Sequence, residues 1–189
     1  MSEITIRTVT VADAEALLKI YEYYVLNTAI TFEYNVPSVT EFQRRIRHTL
    51  EKYPYIAAII HGKIVGYAYA GPFVGRAAYD WSVELSVYVD HNLRKHGVGG
   101  KLYRELENIL KQMGVLNLYA CIGYTEQQDE YLNNNSAEFH THLGYQTVGK
   151  FTKCGYKFDR WYDMIWMEKI IGEHNSKTEN IKLFSEIIL

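Results

Sequence analysis

One stretch, residues 86–113, does most to limit what this chain can fold into. It reads SVYVDHNLRKHGVGGKLYRELENILKQM: an alternating strand, a polar loop, a glycine-rich turn and a long amphipathic helix. Val98, Leu102, Leu106, Ile109, Leu110 and Met113 recur at three- and four-residue steps, so one face of that helix is buried. Gly114 follows as a left-handed C-cap. Gly97, Gly99 and Gly100 stand where the first helical N–H groups are still unpaired, and Arg94, Lys95 and Lys101 flank them. Bare amides, the positive end of the helix dipole and nearby cations make a cradle for a pyrophosphate. The plainer alternative is a helix that simply starts after a flexible turn. Three glycines carry an entropic cost that argues instead for close backbone approach.

Two familiar phosphate loops do not fit. A Walker A loop needs G-x-x-x-x-G-K-[ST], and here Gly100-Lys101 is followed by Leu102, with Lys95 at the first glycine position. A dinucleotide fingerprint, G-x-G-x-x-G, fails because Leu102 occupies the third glycine position. What fits is R-x-x-G-x-G, as Arg94, Gly97 and Gly99, directly behind Val87-Tyr88-Val89. That pattern resembles the acetyl-CoA motif of the GCN5-related N-acetyltransferases (GNATs). The resemblance implies acetyl-CoA as co-substrate. Val87, Tyr88 and Val89 would pair with its pantetheine arm, and the loop through Arg94, Lys95, His96, Gly97, Val98, Gly99 and Gly100 would hold its pyrophosphate.

With 189 residues the expectation is one domain with a core large enough to need no staples. A net charge of −2 advertises no nucleic-acid-binding surface. Two cysteines cannot build a disulfide framework, and with no signal peptide the expected compartment is the cytoplasm. No apolar run reaches the length of a membrane span. The 17 tyrosines suit either ordinary core filling or a polar, aromatic-walled small-molecule pocket. The seven histidines offer no supporting carboxylate or cysteine at metal-ligand spacing, so no metal is expected.

In chain order, residues 4–8 read as a strand, and Thr10-x-x-Asp13 as a capping box before a helix carrying Ala16, Leu17, Ile20, Tyr21 and Tyr24. Ser38-x-x-Glu41 opens a second helix with Phe42, Ile46 and Leu50 on one face. Residues 55–60 and 64–70 form a hairpin around His61-Gly62-Lys63, and Gly71-Pro72 is expected to break its second strand. Residues 81–89 form the central strand. A strand at 115–122, a polar loop, a short helix at 136–142 and a closing pair at 145–151 and 161–170 complete the domain, 1–171. Residues 172–189 read as a polar linker with a small apolar tail, whose Ile181, Phe184, Ile187 and Ile188 either form a helical anchor on the body or a partner subunit or stay disordered. The plan is α/β, three-layered, with a mixed, mostly antiparallel twisted sheet and helices on both faces.

Further motifs sharpen the resemblance. Arg76-Ala77-Ala78-Tyr79-Asp80-Trp81-Ser82-Val83-Glu84, Asn133-x-x-Ser136-x-x-x-His140-x-x-Leu143-Gly144-Tyr145 and Gly155-Tyr156-Lys157-x-x-x-Trp161-x-Asp163 look like the phosphinothricin acetyltransferase branch of the GNATs. So does His61-Gly62-Lys63-Ile64-Val65-Gly66-Tyr67-Ala68-Tyr69-Ala70-Gly71-Pro72-Phe73. The resemblance implies acetyl transfer to the amine of a small amino-acid-like molecule such as phosphinothricin or methionine sulfone, usually in a homodimer. It also points to Asn133, with Ser136, as contacts of the pantetheine arm; asparagine in plain turn chemistry is the alternative.

Acetyl transfer to nitrogen needs a neutral amine, a polarised thioester carbonyl and a proton for the departing thiolate. Glu84, flanked by apolar residues, is either an ion-paired structural carboxylate or a general base whose pKa is lifted by burial. His140 can shuttle protons near neutrality, to the thiolate or in support of Glu84, or be an ordinary helical histidine. Phe32, Arg76, Tyr79, Trp81 and Tyr156 are candidate acceptor walls, with Arg76 as the clamp for an acidic group. Lys157 and Asp163 are expected to pair as structure. Residues 124–132 look like an insertion beside the acceptor pocket: a lid, a dimer contact or a surface loop. Two other functions fit the same residues: a non-catalytic acyl-CoA-binding or regulatory module, and an acetyltransferase acting on a protein N-terminus or peptide.

Overall fold

The long helix forms as α3, Val98–Met113, with its whole apolar stripe buried. Gly114 ends it at φ 90°, where its amide reaches back to the Leu110 and Lys111 carbonyls. The computed structural model describes residues 3–93 and 96–187, and in it α3 lies on one face of a seven-stranded sheet. On the other face lie α1 (Ala14–Asn27) and α2 (Val39–Leu50), whose Leu17, Tyr21, Tyr24, Phe42 and Ile46 form a second core. Ser38 caps α2 by accepting from the Glu41 amide at 3.1 Å. In α1, Ala14 rather than Ala16 is the buried alanine of the stripe.

The strands are β1 (Thr5–Thr8), β2 (Tyr55–Ile60), β3 (Lys63–Pro72), β4 (Ser82–Val89), β5 (Asn117–Tyr124), β6 (Gln146–Lys157) and β7 (Arg160–Ile170). They lie in the order β1-β2-β3-β4-β5-β7-β6, antiparallel except for β4 and β5. A parallel pair needs a crossover, and α3 supplies it. The expected α/β plan and the mostly antiparallel sheet are what the structure shows. Along β4 the two-residue period sends Val83 and Leu85 to the α3 core and Tyr88 to the α1–α2 core.

Two expectations change, and the tail takes one of the alternatives the sequence left open, with Ile188 outside the described residues. Gly71 and Pro72 do not break β3: they pair with Glu84 and Val83. Pairing with β2 ends at Tyr69, so Pro72 has no neighbour on that side to miss its amide. β6 runs on to Lys157 rather than ending at 151, across irregularities at Gly149 and between Phe151 and Gly155. Finally, the C-terminal segment is docked on the body. Phe184 is buried against the α3 core, the Lys182 amide donates to the Met113 carbonyl and the Trp81 indole donates to the Glu179 carbonyl. The short helix before Leu143 is α4, Asn135–His142. Among the described residues no helix is long and apolar enough to cross a membrane.

Candidate active site

β4 and β5 pair for only three residues, ending at Glu84 with Tyr119. Beyond that point the strands part, and the gap is a cleft. Ser86, Val87 and Tyr88 line one side of it, and Ala120, Cys121 and Ile122 the other. α4 adds Ser136 and His140, α3 adds Tyr103, and Ile30 comes from the segment between α1 and α2. Strand edges facing a gap leave main-chain N–H and C=O groups to a ligand, so an extended, amide-bearing arm is what this cleft suits. The Val89 carbonyl is already taken by the Tyr24 hydroxyl, which leaves Val87 and Tyr88 as the available stretch.

Glu84 stands where the strands part. It is half-buried, and burial pushes its pKa above the ordinary carboxylate range. Among the described residues no cation is within ion-pair distance, so the ion-paired alternative is not what the structure shows. Cys121 lines the same cleft, and burial together with the nearby Glu84 charge pushes its thiol up to about 12.

His140 is 3% exposed. Its Nδ1 lies 2.7 Å from the Ser136 carbonyl, which only accepts, so Nδ1 carries the proton. Nε2, 2.8 Å from the Tyr103 hydroxyl, is then the acceptor. Burial lowers the His140 pKa, which keeps the ring neutral. Both nitrogens are engaged, so the imidazole has no free N–H for a thiolate. Tyr103 lines the cleft beside it. Nothing in the sequence separated Tyr103 from its neighbours on the α3 stripe.

At the start of α3, Gly97 is in the left-handed region at φ 78°, which favours glycine. A methyl on Gly99 would stand 3.4 Å from the Phe139 ring, so that glycine serves the packing of α4 on α3. Gly100 lies beneath the Arg104 guanidinium, a cation that sequence reasoning passed over. Lys101 turns away to the Ile4 carbonyl. Val98 is buried and His96 exposed; Arg94 and Lys95 lie outside the described residues. Among the described residues the cradle consists of the free amides of the first turn with Arg104 beside them. These residues fit a pyrophosphate.

The other predicted residues scatter. The Asn133 carboxamide accepts from the Asn135 amide at 3.1 Å, turn chemistry outside the cleft, whereas Ser136 lines it. Arg76 and Tyr79 are exposed on the loop before β4, Tyr79 against Phe73 with ring centroids 6.2 Å apart. Trp81 secures the C-terminal segment, and Tyr156 packs on Trp161 at the outside of the β6–β7 hairpin. Phe32 is held at that hairpin: a methyl on Gly155 would come within 2.5 Å of its ring. Among the described residues there is no cluster of three or more metal-ligating side chains.

Lys157 does not pair with Asp163, which takes Lys150 at 2.9 Å. It is buried, 2% exposed, and its ammonium donates to the Thr28 and Thr31 carbonyls at 2.8 and 2.7 Å. It thereby ties down a strap, residues 28–33, that brings Ile30 to the cleft and Glu33 to Arg45. The insertion is tied down as well. Asp129 accepts from the Tyr131 and Leu132 amides and the Tyr162 hydroxyl, and pairs with Arg160. Tyr131 stacks on Phe158 at 4.1 Å, and its carbonyl accepts from the Ala29 amide.

The family model described as the acetyltransferase (GNAT) domain matches residues 6–166. The phosphinothricin N-acetyltransferase of Streptomyces viridochromogenes is 32% identical over 161 residues, 85% of this chain and 84% of that protein. The L-methionine sulfoximine/L-methionine sulfone acetyltransferase of Salmonella typhimurium is 29% identical over 171 residues, 90% of this chain and 96% of that one. Among solved structures, a phosphinothricin acetyltransferase from Sinorhizobium meliloti in complex with acetyl-CoA superposes with a TM-score of 0.87 at 31% identity. That match covers 97% of this chain and 99% of the other. A strand pair that parts beside a lone carboxylate, with bare helix amides next to it, is accounted for by one conclusion: the chain belongs to the GNAT acetyltransferases.

Proposed function

We propose that the protein transfers the acetyl group of acetyl-CoA directly to the amine of a small amino-acid-like acceptor, with Glu84 as general base. The observation that carries this is the Glu84 carboxylate, held where β4 and β5 part with no ion-paired cation among the described residues. The α3 amides and Arg104 would bind the pyrophosphate, and the Val87–Tyr88 edge would bind the pantetheine arm. The thioester then lies against Glu84. A carboxylate with a raised pKa takes the ammonium proton more readily than an ordinary one, directly or through a water. Tyr103 faces the same cleft, and its single O–H proton, given to His140 Nε2 in the free protein, would turn to the thioester oxygen or the leaving sulfur when acetyl-CoA binds. Burial raises the Tyr103 pKa, so it would lend a hydrogen bond rather than give up the proton. A route through an acetylated Cys121 is disfavoured, since a thiol held near 12 is not a nucleophile at neutral pH.

The relatives' names support an acceptor of the phosphinothricin or methionine sulfone kind. Arg76, exposed and without an ion pair among the described residues, is the proposed clamp for its acidic group. The working unit is proposed to be a homodimer: β6 is a long edge strand whose Val148 and Phe151 are both 51% exposed. The test is thiol release from acetyl-CoA over a panel of amines. Glu84→Gln is expected to lower kcat by roughly 10²–10⁴-fold with acetyl-CoA affinity kept. Wild-type kcat in that variant refutes the base assignment.

A further inference from the structure

Beneath α2, on the face of the sheet away from α3, lies a second hollow of about 250 Å³. Its inner wall is a block of tyrosines set by strand register: Tyr55 opposite Tyr69, and Tyr67 opposite Tyr88. The rings touch, with centroids 4.8 Å apart for Tyr55 and Tyr69 and 5.4 Å for Tyr67 and Tyr88. Burial keeps all four hydroxyls protonated, so they are available as donors. Tyr69 lies beside Ser86 and Tyr88 beside Tyr21, whose own hydroxyl bonds Thr31 at 2.8 Å. Among the described residues the Tyr55 and Tyr67 hydroxyls have no hydrogen-bond partner, and both line the hollow. Open to the hollow, both can donate to a bound group.

The hollow adjoins the cleft. Tyr88 lines both, and Ser86, the partner of Tyr69, is a wall of the cleft. Tyr69 lies in the field of Glu84 on one side and of Glu33 and Arg45 on the other. The solvent side of the hollow carries charge that is already balanced. Arg45 holds Glu33 at 2.7 Å and Glu41 at 3.0 Å, and Arg44 holds Glu41 at 2.7 Å. His48 on the same side pairs with Glu51 at 3.2 Å, so each basic side chain lining the hollow already faces a carboxylate.

Resting on the acetyl-transfer reading above, we propose that this hollow binds the acceptor's side chain, and that it selects a neutral tail ending in hydrogen-bond-accepting oxygens, an amide, sulfone or sulfoxide. The amine stays at Glu84 while the tail passes Tyr88 to the Tyr55 and Tyr67 hydroxyls. An anionic tail, a phosphinate or second carboxylate, would be desolvated there with no unpaired cation to meet it.

The test measures kcat/KM for methionine sulfone and glutamine against phosphinothricin and glutamate, with 2-aminobutyrate as a tail-less control. It uses the wild type, the Tyr55→Phe/Tyr67→Phe double variant and Thr49→Phe, which fills the hollow from α2. The wild type is expected to favour the neutral, oxygen-tailed pair. The double variant should lose about tenfold or more on that pair through KM, with 2-aminobutyrate and acetyl-CoA affinity unchanged. Its thermal midpoint should not fall, because the deleted hydroxyls have no protein partner. Thr49→Phe should show the same selective loss. Equal loss on tailed and tail-less acceptors, no loss at all, or a wild-type preference for the anionic tails overturns the proposal while leaving acetyl transfer intact. A wild type that binds acetyl-CoA but acetylates none of the five amines overturns the underlying reading, and the pocket with it.

Discussion

Replacing Lys157 by methionine tests what holds the strap between α1 and α2. The wild-type ammonium has two carbonyl partners, Thr28 and Thr31, and no ion-paired carboxylate among the described residues. Burial pulls its pKa from 10.5 down to about 8, against a small opposing pull from Glu33. Below pH 8 the lysine is charged both folded and unfolded, and the folded state bears the full cost of burying the charge. Between about 8 and 10.5 the unfolded chain binds a proton that the folded one does not, so stability rises with pH. At about 1.4 kcal/mol per unit, that gap amounts to roughly 3 kcal/mol. Methionine removes this cost but leaves two carbonyls without donors, about 1–3 kcal/mol each. At pH 7 the two effects largely offset, leaving the variant less stable by no more than about 3 kcal/mol. The assay is urea unfolding of both proteins at pH 7, 8, 9 and 10, read as a difference so that other titrating groups cancel. The wild type should gain on the variant as pH climbs from 8. At neutral pH the loosened strap, which carries Ile30 and Glu33, should raise acceptor KM about tenfold, or about 1.4 kcal/mol, with acetyl-CoA affinity unchanged. A stability difference that stays flat from pH 7 to 10 refutes the buried charge. An unchanged acceptor KM refutes the strap.

Two further substitutions address the cleft and the cradle. Tyr103→Phe removes the hydroxyl beside His140 and should lower kcat about 10- to 100-fold without weakening acetyl-CoA binding; equal kcat would show that the hydroxyl does not act on the reacting atoms. Arg104→Glu reverses the charge over Gly100 and should weaken acetyl-CoA binding about tenfold at low salt, less so at high salt. Calorimetry showing the same affinity at both ionic strengths would remove Arg104 from the cradle.

The parts of the fold that were legible in the sequence are those where one residue's neighbours along the chain decide its environment. The α3 stripe, the Gly97 turn, the Ser38 cap and the β2–β3 hairpin are of this kind, since helical and strand periods translate directly into faces. Glu84 and His140 were singled out for a different reason: their motifs resemble those of a known family. The point where β4 and β5 part has no such signal, because Leu85 to Val89 continues to read as an ordinary strand. The cleft, and with it Tyr103, becomes visible only when the pairing is known to stop at Glu84. Lys157 illustrates a second limit. An unbroken two-residue alternation from Phe151 would not separate it from the exposed residues around it, but the irregularity between Phe151 and Gly155 resets the register and turns Lys157 inward.

The tyrosines show why the acceptor side was the least legible region. Their number is plain in the sequence, and a polar aromatic pocket was a fair expectation from it. Which tyrosines meet is set by pairing among β2, β3 and β4, and none of those partners is a near neighbour in sequence. Tyr79, Trp81 and Tyr156 were grouped with Arg76 by motif, and the fold places them on a loop, at the C-terminal segment and at the outside of a hairpin. Phe32 alone of that set sits on the strap that borders both hollows, and it is held there by the glycine at 155. On the proposed acceptor site, acceptor choice would depend on how Lys157 and Gly155 seat a segment from the other end of the chain. Substitutions in the β6–β7 hairpin should accordingly alter which amine is acetylated more than whether acetyl-CoA binds.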